Sequence, residues 1–175
     1  MRKSQRPVRE ARVVLQSAGV KKAPVDVFKL ARAYAGVLER QLPDSISGML
    51  VPVPDATHNK KYVIVVNSAH AEVRRRFTVA HELGHLLLHD YSTPHADTGF
   101  KIRFRANREY DGTIAEEIEA NQFAAEILMP ASIIIERIHE LDLEYADGDD
   151  ESLDELAREF RVSKRALQIR VSEFI

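Results

Sequence analysis

Hydrophobic and polar residues alternate along most of this chain at helical intervals. Apolar side chains three and four residues apart predict helices over residues 8–18, from 26 onward, and over 72–89, 113–129, 131–141, 152–160 and 163–174. Two short segments rich in β-branched residues predict strands over 48–53 and 62–67, and a third strand is indicated around 37–42. This is too little sheet for a barrel or a doubly wound fold. The pattern therefore predicts an α+β fold, with a small antiparallel sheet packed on helices.

Composition narrows the class of protein. The 175 residues include no cysteine, which excludes disulfide scaffolds, Cys-ligated zinc sites and thiol nucleophiles. No apolar segment approaches the roughly 20 residues of a membrane-spanning helix, and the basic N-terminus leads into no signal-peptide core. We therefore expect a cytoplasmic protein with no membrane partner.

The net charge of −2 hides a strong asymmetry. Residues 1–40 carry ten Lys or Arg against three acidic residues, whereas residues 111–160 carry sixteen acidic residues against two Arg. We predict a main domain over 1–141, an acidic linker over 142–151 and a separate pair of helices over 152–175.

The strongest chemical signal is the sequence H-E-x-x-H within the helix predicted over 72–89. A spacing of four residues places His81 and His85 on one helix face, so that both imidazoles can bind one zinc ion. Glu82 lies beside them, where a carboxylate can take a proton from a water molecule that the metal activates. The sequence therefore predicts a zinc centre, and with it a zincin-like helical core.

A catalytic zinc site needs a third protein ligand. His89 continues the same series, but it lies about 6 Å beyond His85 along one straight helix and cannot complete the site. The helix predicted over 113–129 offers Glu117, close to an inward face that we predict from Ile114, Ile118, Asn121, Ala125 and Leu128. Glu116, Glu119 and Glu126 are predicted to point into solvent.

We therefore expect Glu117 to be the third ligand, because a carboxylate beside an apolar stripe needs a cation. Asn121, one turn further on, could hold its orientation as an outer partner. Glu116 and Glu119 are the alternatives as third ligand.

Several separate motifs in this chain resemble the ImmA/IrrE family of zinc metallopeptidases. The main ones are R-R-F-T-V-A-H-E-L-G-H-L-L-L-H at 75–89 and E-E-I-E-A-N-Q-F-A-A-E-I-L-M-P at 116–130. The lead-in segments at 23–34, 46–51 and 62–68 are similar as well. The resemblance implies that His81, His85 and Glu117 bind zinc and that Glu82 is the catalytic carboxylate. It also implies a substrate class, the helix-turn-helix transcriptional repressors, whose cleavage releases stress-response, mobile-element or toxin–antitoxin genes.

Peptide hydrolysis also requires a hydrogen-bond donor for the developing oxyanion. A long loop is predicted over 91–112, between the two helices that carry the metal ligands. Five candidate donors or substrate contacts lie in it: Tyr91, His95, Arg103, Arg105 and Tyr110. The sequence does not choose among them.

The last 24 residues resemble a helix-turn-helix. Ser163 can cap the second helix, and Lys164, Arg165, Gln168 and Arg170 lie on it. DNA binding is possible but not favoured, because the preceding fifty residues are strongly acidic, and docking of a repressor protein fits better.

The leading hypothesis is thus a zinc endopeptidase with Glu82 as general base. The alternative is a non-catalytic regulatory module, in which a structural zinc supports binding of a repressor or of DNA. A structural site would not need the carboxylate of Glu82, so this residue separates the two hypotheses.

Overall fold

Helices and a small sheet alternate along the chain. The computed structural model describes residues 5–53, 61–89, 95–97, 114–141 and 150–174. The elements are α1 (Arg6–Ser17), α2 (Val27–Ala31), β1 (Gly36–Arg40), β2 (Gly48–Pro52), β3 (Tyr62–Asn67), α3 (Glu72–Leu88), β4 (His95–Asp97), α4 (Ile114–Leu128), α5 (Ala131–Glu140), α6 (Asp150–Phe160) and α7 (Lys164–Val171). The α+β fold class is confirmed.

The sheet is mixed, whereas a purely antiparallel sheet was predicted. Its strand order is β1-β3-β2-β4. β2 pairs antiparallel with both of its neighbours, but β1 runs parallel to β3, with Gly36 opposite Val63. β2 lies between β1 and β3 in the sequence, but in the sheet it lies on the far side of β3 from β1. In addition, β4 interrupts the long loop predicted over 91–112.

One face of the sheet packs against α3. Leu50 and Ile64 point from neighbouring strands into the core, where Val79 and Leu83 of α3 are fully buried. Gly48 marks the closest approach, since a Cβ atom there would lie only 2.4 Å from the side chain of Thr78. The sheet therefore fixes the position of the helix that carries the H-E-x-x-H sequence.

The helix α4 turns a different face to the core from the one predicted. Ile114 and Ile118 are 82% and 51% exposed, while Glu117, Ala120 and Phe123 are buried. Small residues face α3 because the two helices pack closely: a Cβ atom on Gly84 would lie 3.2 Å from the backbone of Ala120. Of the predicted inward stripe, Ile114 and Ile118 are thus exposed, while Leu128 at its far end is buried.

The prediction that Glu126 points into solvent is also wrong. Its carboxylate is only 2% exposed and accepts hydrogen bonds from Arg170 of α7 and, at 2.9 Å, from Arg12 of α1. Two cations thus compensate the cost of burying this charge. Glu126 lies at the point where α1, α4 and α7 meet.

A second buried arginine joins the C-terminal helices to the core. Arg76 of α3 donates hydrogen bonds to the carbonyl of Val25 at 2.9 Å and to that of Arg161 at 3.2 Å. Burial lowers the pKa of Arg76, and the charge of Arg161 lowers it further. Phe160 and Leu167 complete the attachment, since both are fully buried in the main hydrophobic core.

The segment predicted as an acidic linker, 142–151, lies outside the described residues over 142–149, and its last two residues begin α6. Within the described residues, no single helix is long and apolar enough to cross a membrane. The α4–α5 pair, bent by 54°, passes that test only when its two helices are taken together.

Candidate metal centre

The H-E-x-x-H residues lie in the middle of α3, buried between the sheet and α4. His81, Glu82 and His85 are each almost completely inaccessible to solvent. The spacing of four residues brings the Nε2 atoms of His81 and His85 to 2.9 Å from each other. Two imidazole nitrogens therefore converge on one point, as the sequence predicted.

Glu117 of α4 faces this point from the other side. Its Oε2 atom lies 3.3 Å from Nε2 of His81, and its Oε1 atom lies 3.2 Å from Nε2 of His85. The carboxylate is buried because Ala120 and Gly84 allow α4 to approach α3 so closely. His81, His85 and Glu117 form a group of donor atoms that could hold a metal ion.

The spacing of these donor atoms fits zinc. Zinc binds histidine nitrogen and carboxylate oxygen at about 2.0–2.2 Å in tetrahedral geometry, which separates neighbouring ligand atoms by roughly 3.3 Å. The three distances here, 2.9, 3.2 and 3.3 Å, are close to that separation. Three electron-pair donors converging in a buried place also favour a shared cation.

Asn121 sets the orientation of His81. Its Oδ1 atom accepts a hydrogen bond from Nδ1 of His81 at 3.0 Å. With the proton on Nδ1, the Nε2 lone pair of His81 faces Glu117 and is available to a metal. The sequence predicted Asn121 as an outer partner of Glu117, and the hydrogen bond that the structure gives it is to His81.

Glu82 is buried one residue from His81 and is not a member of the three-donor group. Glu116 and Glu119, the alternatives as third ligand, also lie outside that group. Glu119 instead lies 4.0 Å from His89.

His89 and Phe77 contribute to the centre in ways that the sequence did not predict. The Nε2–H of His89 donates a hydrogen bond to the carbonyl of Glu116 at 3.2 Å, directly before Glu117 in the chain. The ring centroid of Phe77 lies 5.9 Å from that of His81. Phe77 lies four residues before His81, and His89 lies four residues after His85. That spacing is the signal in the sequence that could have identified them.

The candidate oxyanion donors remain a prediction. Tyr91, Arg103, Arg105 and Tyr110 lie outside the described residues. The backbone of His95 begins β4, which pairs with β2 and is the last strand in the sheet order. This strand is next to β2, whose Leu50 packs beneath α3.

Two of the four candidate DNA-contacting residues of α7 form ion pairs within the protein. Ser163 caps α7 as predicted, with its hydroxyl accepting from the backbone N–H of Ala166. Arg170 is buried against Glu126, and Lys164 pairs with Asp154 at 3.0 Å. Of the candidate recognition residues, Arg165 and Gln168 are exposed.

The chain is similar to known proteins in fold and in sequence. A solved structure described as a Mycobacterium tuberculosis transcriptional regulator covers 97% of this chain with a TM-score of 0.61 and 18% identity, which establishes a shared fold. The uncharacterized immunity region protein 2 of Bacillus phage phi105 is 38% identical over 71 residues, or 41% of this chain. These matches span 47% and 40% of the two relatives' own lengths.

A family model matches most of the chain. The model of the Peptidase M78 family, described as the IrrE N-terminal-like domain, matches residues 44–172. The match includes all three donors of the candidate metal centre and both C-terminal helices. The resemblance to the ImmA/IrrE family is thus confirmed, and this chain belongs to the Peptidase M78 family of IrrE N-terminal-like domains.

Proposed function

We propose that this protein is a zinc-dependent endopeptidase. The observation that carries the proposal is the buried convergence of His81, His85 and Glu117, with Glu82 adjacent to the first of them. The donor set of two histidines and one glutamate is that of catalytic zinc sites, which retain an open position for water or substrate. Membership of a peptidase family supports the same reaction class.

A zinc ion bound by these residues would supply a Lewis acid that activates water and polarises the peptide carbonyl. The protein residues then have separate tasks. His81, His85 and Glu117 hold the ion, and Asn121 keeps His81 in the tautomer that can bind it.

Glu82 is the proposed general base. Its carboxylate takes a proton from the attacking water and delivers it to the leaving amine. Its complete burial excludes bulk water from the group that carries the proton. One of the predicted loop donors, Tyr91, His95, Arg103, Arg105 or Tyr110, is proposed to stabilise the oxyanion.

The proposed substrate is a helix-turn-helix repressor, in the cytoplasm. Two comparisons support this substrate: one relative is named as a phage immunity region protein, and a structural neighbour is described as a transcriptional regulator. The engaged charges of Arg170 and Lys164 favour a protein partner over DNA for the C-terminal helices.

The experiment compares wild-type protein with Glu82→Gln. Each is loaded with zinc and added to an extract of the organism that encodes it, and new protein N-termini are identified by chemical labelling and mass spectrometry. We expect both proteins to bind one zinc ion per chain, and wild type alone to produce a new N-terminus within a helix-turn-helix repressor.

Two results would overturn parts of this proposal. Equal cleavage by Glu82→Gln would exclude the role given to Glu82. Stoichiometric zinc without any new N-terminus would favour the non-catalytic binding module instead. A gel-shift series at low salt tests DNA separately, and salt-sensitive duplex binding would contradict the preference for a protein partner.

A further inference from the structure

An open groove lies beside the candidate metal centre, between α1, α4 and α7. Its larger part has a volume of about 1370 Å³, and a second part of about 460 Å³ continues towards the start of α3. The two parts share five lining residues: Asn121, Ala125, Ile169, Arg170 and Glu173. We treat them as one groove and call it the α1–α4–α7 groove.

The floor and walls of this groove are unusually apolar for an open surface. Ile118 of α4 and Ile169 of α7 line it and are 51% and 59% exposed, and Phe77 of α3 lines its second part. Ile118 belongs to the apolar stripe of α4 that the sequence analysis placed in the core. Exposed apolar stripes of this kind mark surfaces that a partner covers.

The lining of the groove carries a net positive charge. Its described lining contains five arginines against one acidic residue, Glu173: Arg6, Arg9, Arg12, Arg74 and Arg170. Arg9 pairs with Glu10, and Arg12 and Arg170 pair with the buried Glu126. Arg6 and Arg74 donate instead to the Leu88 carbonyl and the Ser47 hydroxyl, which are neutral, and neither forms an ion pair within the described residues. An apolar floor beside a basic wall complements a segment with apolar side chains on one face and acidic side chains next to them.

The groove also reaches two neighbours of the proposed ligand His81. Asn121 lines both of its parts and accepts the hydrogen bond from His81, and Phe77 lies next to the same imidazole. A chain bound in the groove therefore contacts two side chains that touch a proposed zinc ligand. This position favours the substrate over any partner that would bind far from the metal.

We propose that the α1–α4–α7 groove is a docking site for an acidic, amphipathic segment of the protein substrate, outside the bond that is cleaved. This inference rests on the proposed function, because it names a feature of the substrate of the same centre. It also gives a role to the basic N-terminal region, which the catalytic proposal does not use.

The test selects peptides by binding, so that it does not depend on hydrolysis. A library of random sixteen-residue peptides displayed on phage is selected on the wild-type protein and on Ile118→Asp/Ile169→Asp. Val13→Asp is the matched control, because Val13 has the same 51% exposure as Ile118 on a face of α1 outside the groove lining. Circular dichroism and zinc content confirm that each variant is folded.

We expect wild type and Val13→Asp to recover peptides enriched in both apolar and acidic residues. A recovered peptide made synthetically should bind the double variant at least about tenfold more weakly, and its affinity for wild type should fall as salt rises. Arg9→Glu tests the charge alone and should reduce the enrichment of acidic residues among the recovered peptides. Arg32→Glu, at an exposed position outside the groove, is its control.

Peptides without acidic enrichment, or equal recovery on the double variant, would overturn the proposal. A wild-type dimer that Ile118→Asp/Ile169→Asp converts to a monomer would assign the groove to a second copy of the chain. Retained peptide binding without any zinc-dependent cleavage would instead contradict the proposed function, so the two failures are distinguishable.

Discussion

The amide oxygen of Asn121 lies 3.0 Å from Nδ1 of His81 and accepts a hydrogen bond from it. Asn121 is on α4 and His81 is on α3, so the contact links the two helices that supply the proposed zinc ligands. Asn121 is one turn along α4 from Glu117, whose Oε2 atom lies 3.3 Å from Nε2 of His81. Both nitrogens of His81 are therefore fixed by one neighbouring helix.

Replacing Asn121 should weaken zinc binding without removing a ligand. Outer hydrogen-bond partners of this kind contribute about 10- to 100-fold to metal affinity, so we expect Asn121→Ala to bind zinc weaker by that factor. Asn121→Asp should retain much of the affinity, because a carboxylate oxygen also accepts from Nδ1. Competition with a chromophoric chelator measures the affinities.

Gln122→Ala is the control for this prediction, since Gln122 is the next residue of α4 and is likewise half-buried. Its zinc affinity should equal that of wild type. Equal affinities for Asn121→Ala and Gln122→Ala would contradict the role assigned to Asn121.

His89 should support the centre without binding the metal. Its hydrogen bond to the carbonyl of Glu116 holds the first turn of α4 against the end of α3. We expect His89→Phe to lower the free energy of unfolding by about 1 kcal/mol, the usual net value of one hydrogen bond. Zinc per chain, measured by elemental mass spectrometry, should stay at the wild-type level. Glu117→Ala is the contrasting variant, and its zinc content should fall clearly.

Gly84 should be required for the distance between α3 and α4. An added Cβ would lie 3.1 Å from the ring of Phe123 and 3.2 Å from the backbone of Ala120. Overpacking of this kind costs about 1–3 kcal/mol, against a gain of about 1 kcal/mol in helix propensity. We expect Gly84→Ala to bind zinc more weakly, because Glu117 moves away from the histidines. An unchanged zinc affinity would show that the helices can separate without affecting the site.

Sequence alone could predict the part of the site that one helix determines. The convergence of His81 and His85 follows from a spacing within α3, and Glu117 lies in the same donor group. The catalytic role of Glu82 stays a prediction. The reasoning behind the choice of Glu117 was less accurate, because hydrophobicity assigned Ile118 to the core while the small residue Ala120 in fact faces α3. Close helix packing selects residues for size, which a hydrophobic pattern does not record.

Contacts between distant segments are the other feature of the fold that the sequence could not predict. β1 pairs with β3 although β2 lies between them in the sequence, and no local pattern contains that information. The helical angle of Glu126 predicts that it points into solvent, and its cationic partners, Arg12 and Arg170, are 114 and 44 residues away in the sequence. A glutamate is normally exposed unless it is paired, and the pairing exists only in the folded chain.

The pair formed by Glu126 and Arg170 gives the sharpest prediction for stability. Both side chains are buried, and Arg170 also donates to the carbonyl of Met129 at 3.2 Å. Glu126→Gln leaves the buried Arg170 with only the half-exposed Glu173 as carboxylate partner, at 2.6 Å. We therefore expect it to lower the free energy of unfolding by about 2–3 kcal/mol, less than the ~3–5 kcal/mol of a wholly uncompensated buried charge. Urea denaturation of the zinc-loaded protein measures the change.

A double variant and a surface pair complete this test. Glu126→Met/Arg170→Met removes both charges and should recover most of the lost stability, because apolar replacements of buried ion pairs are often neutral or stabilising. Glu159→Gln breaks the more exposed pair with Arg137 and should cost no more than about 1 kcal/mol. If Glu126→Gln cost as little as Glu159→Gln, the ion pair would not be what attaches α7 to α4. The attachment would then depend on the buried side chains of Phe160 and Leu167 alone.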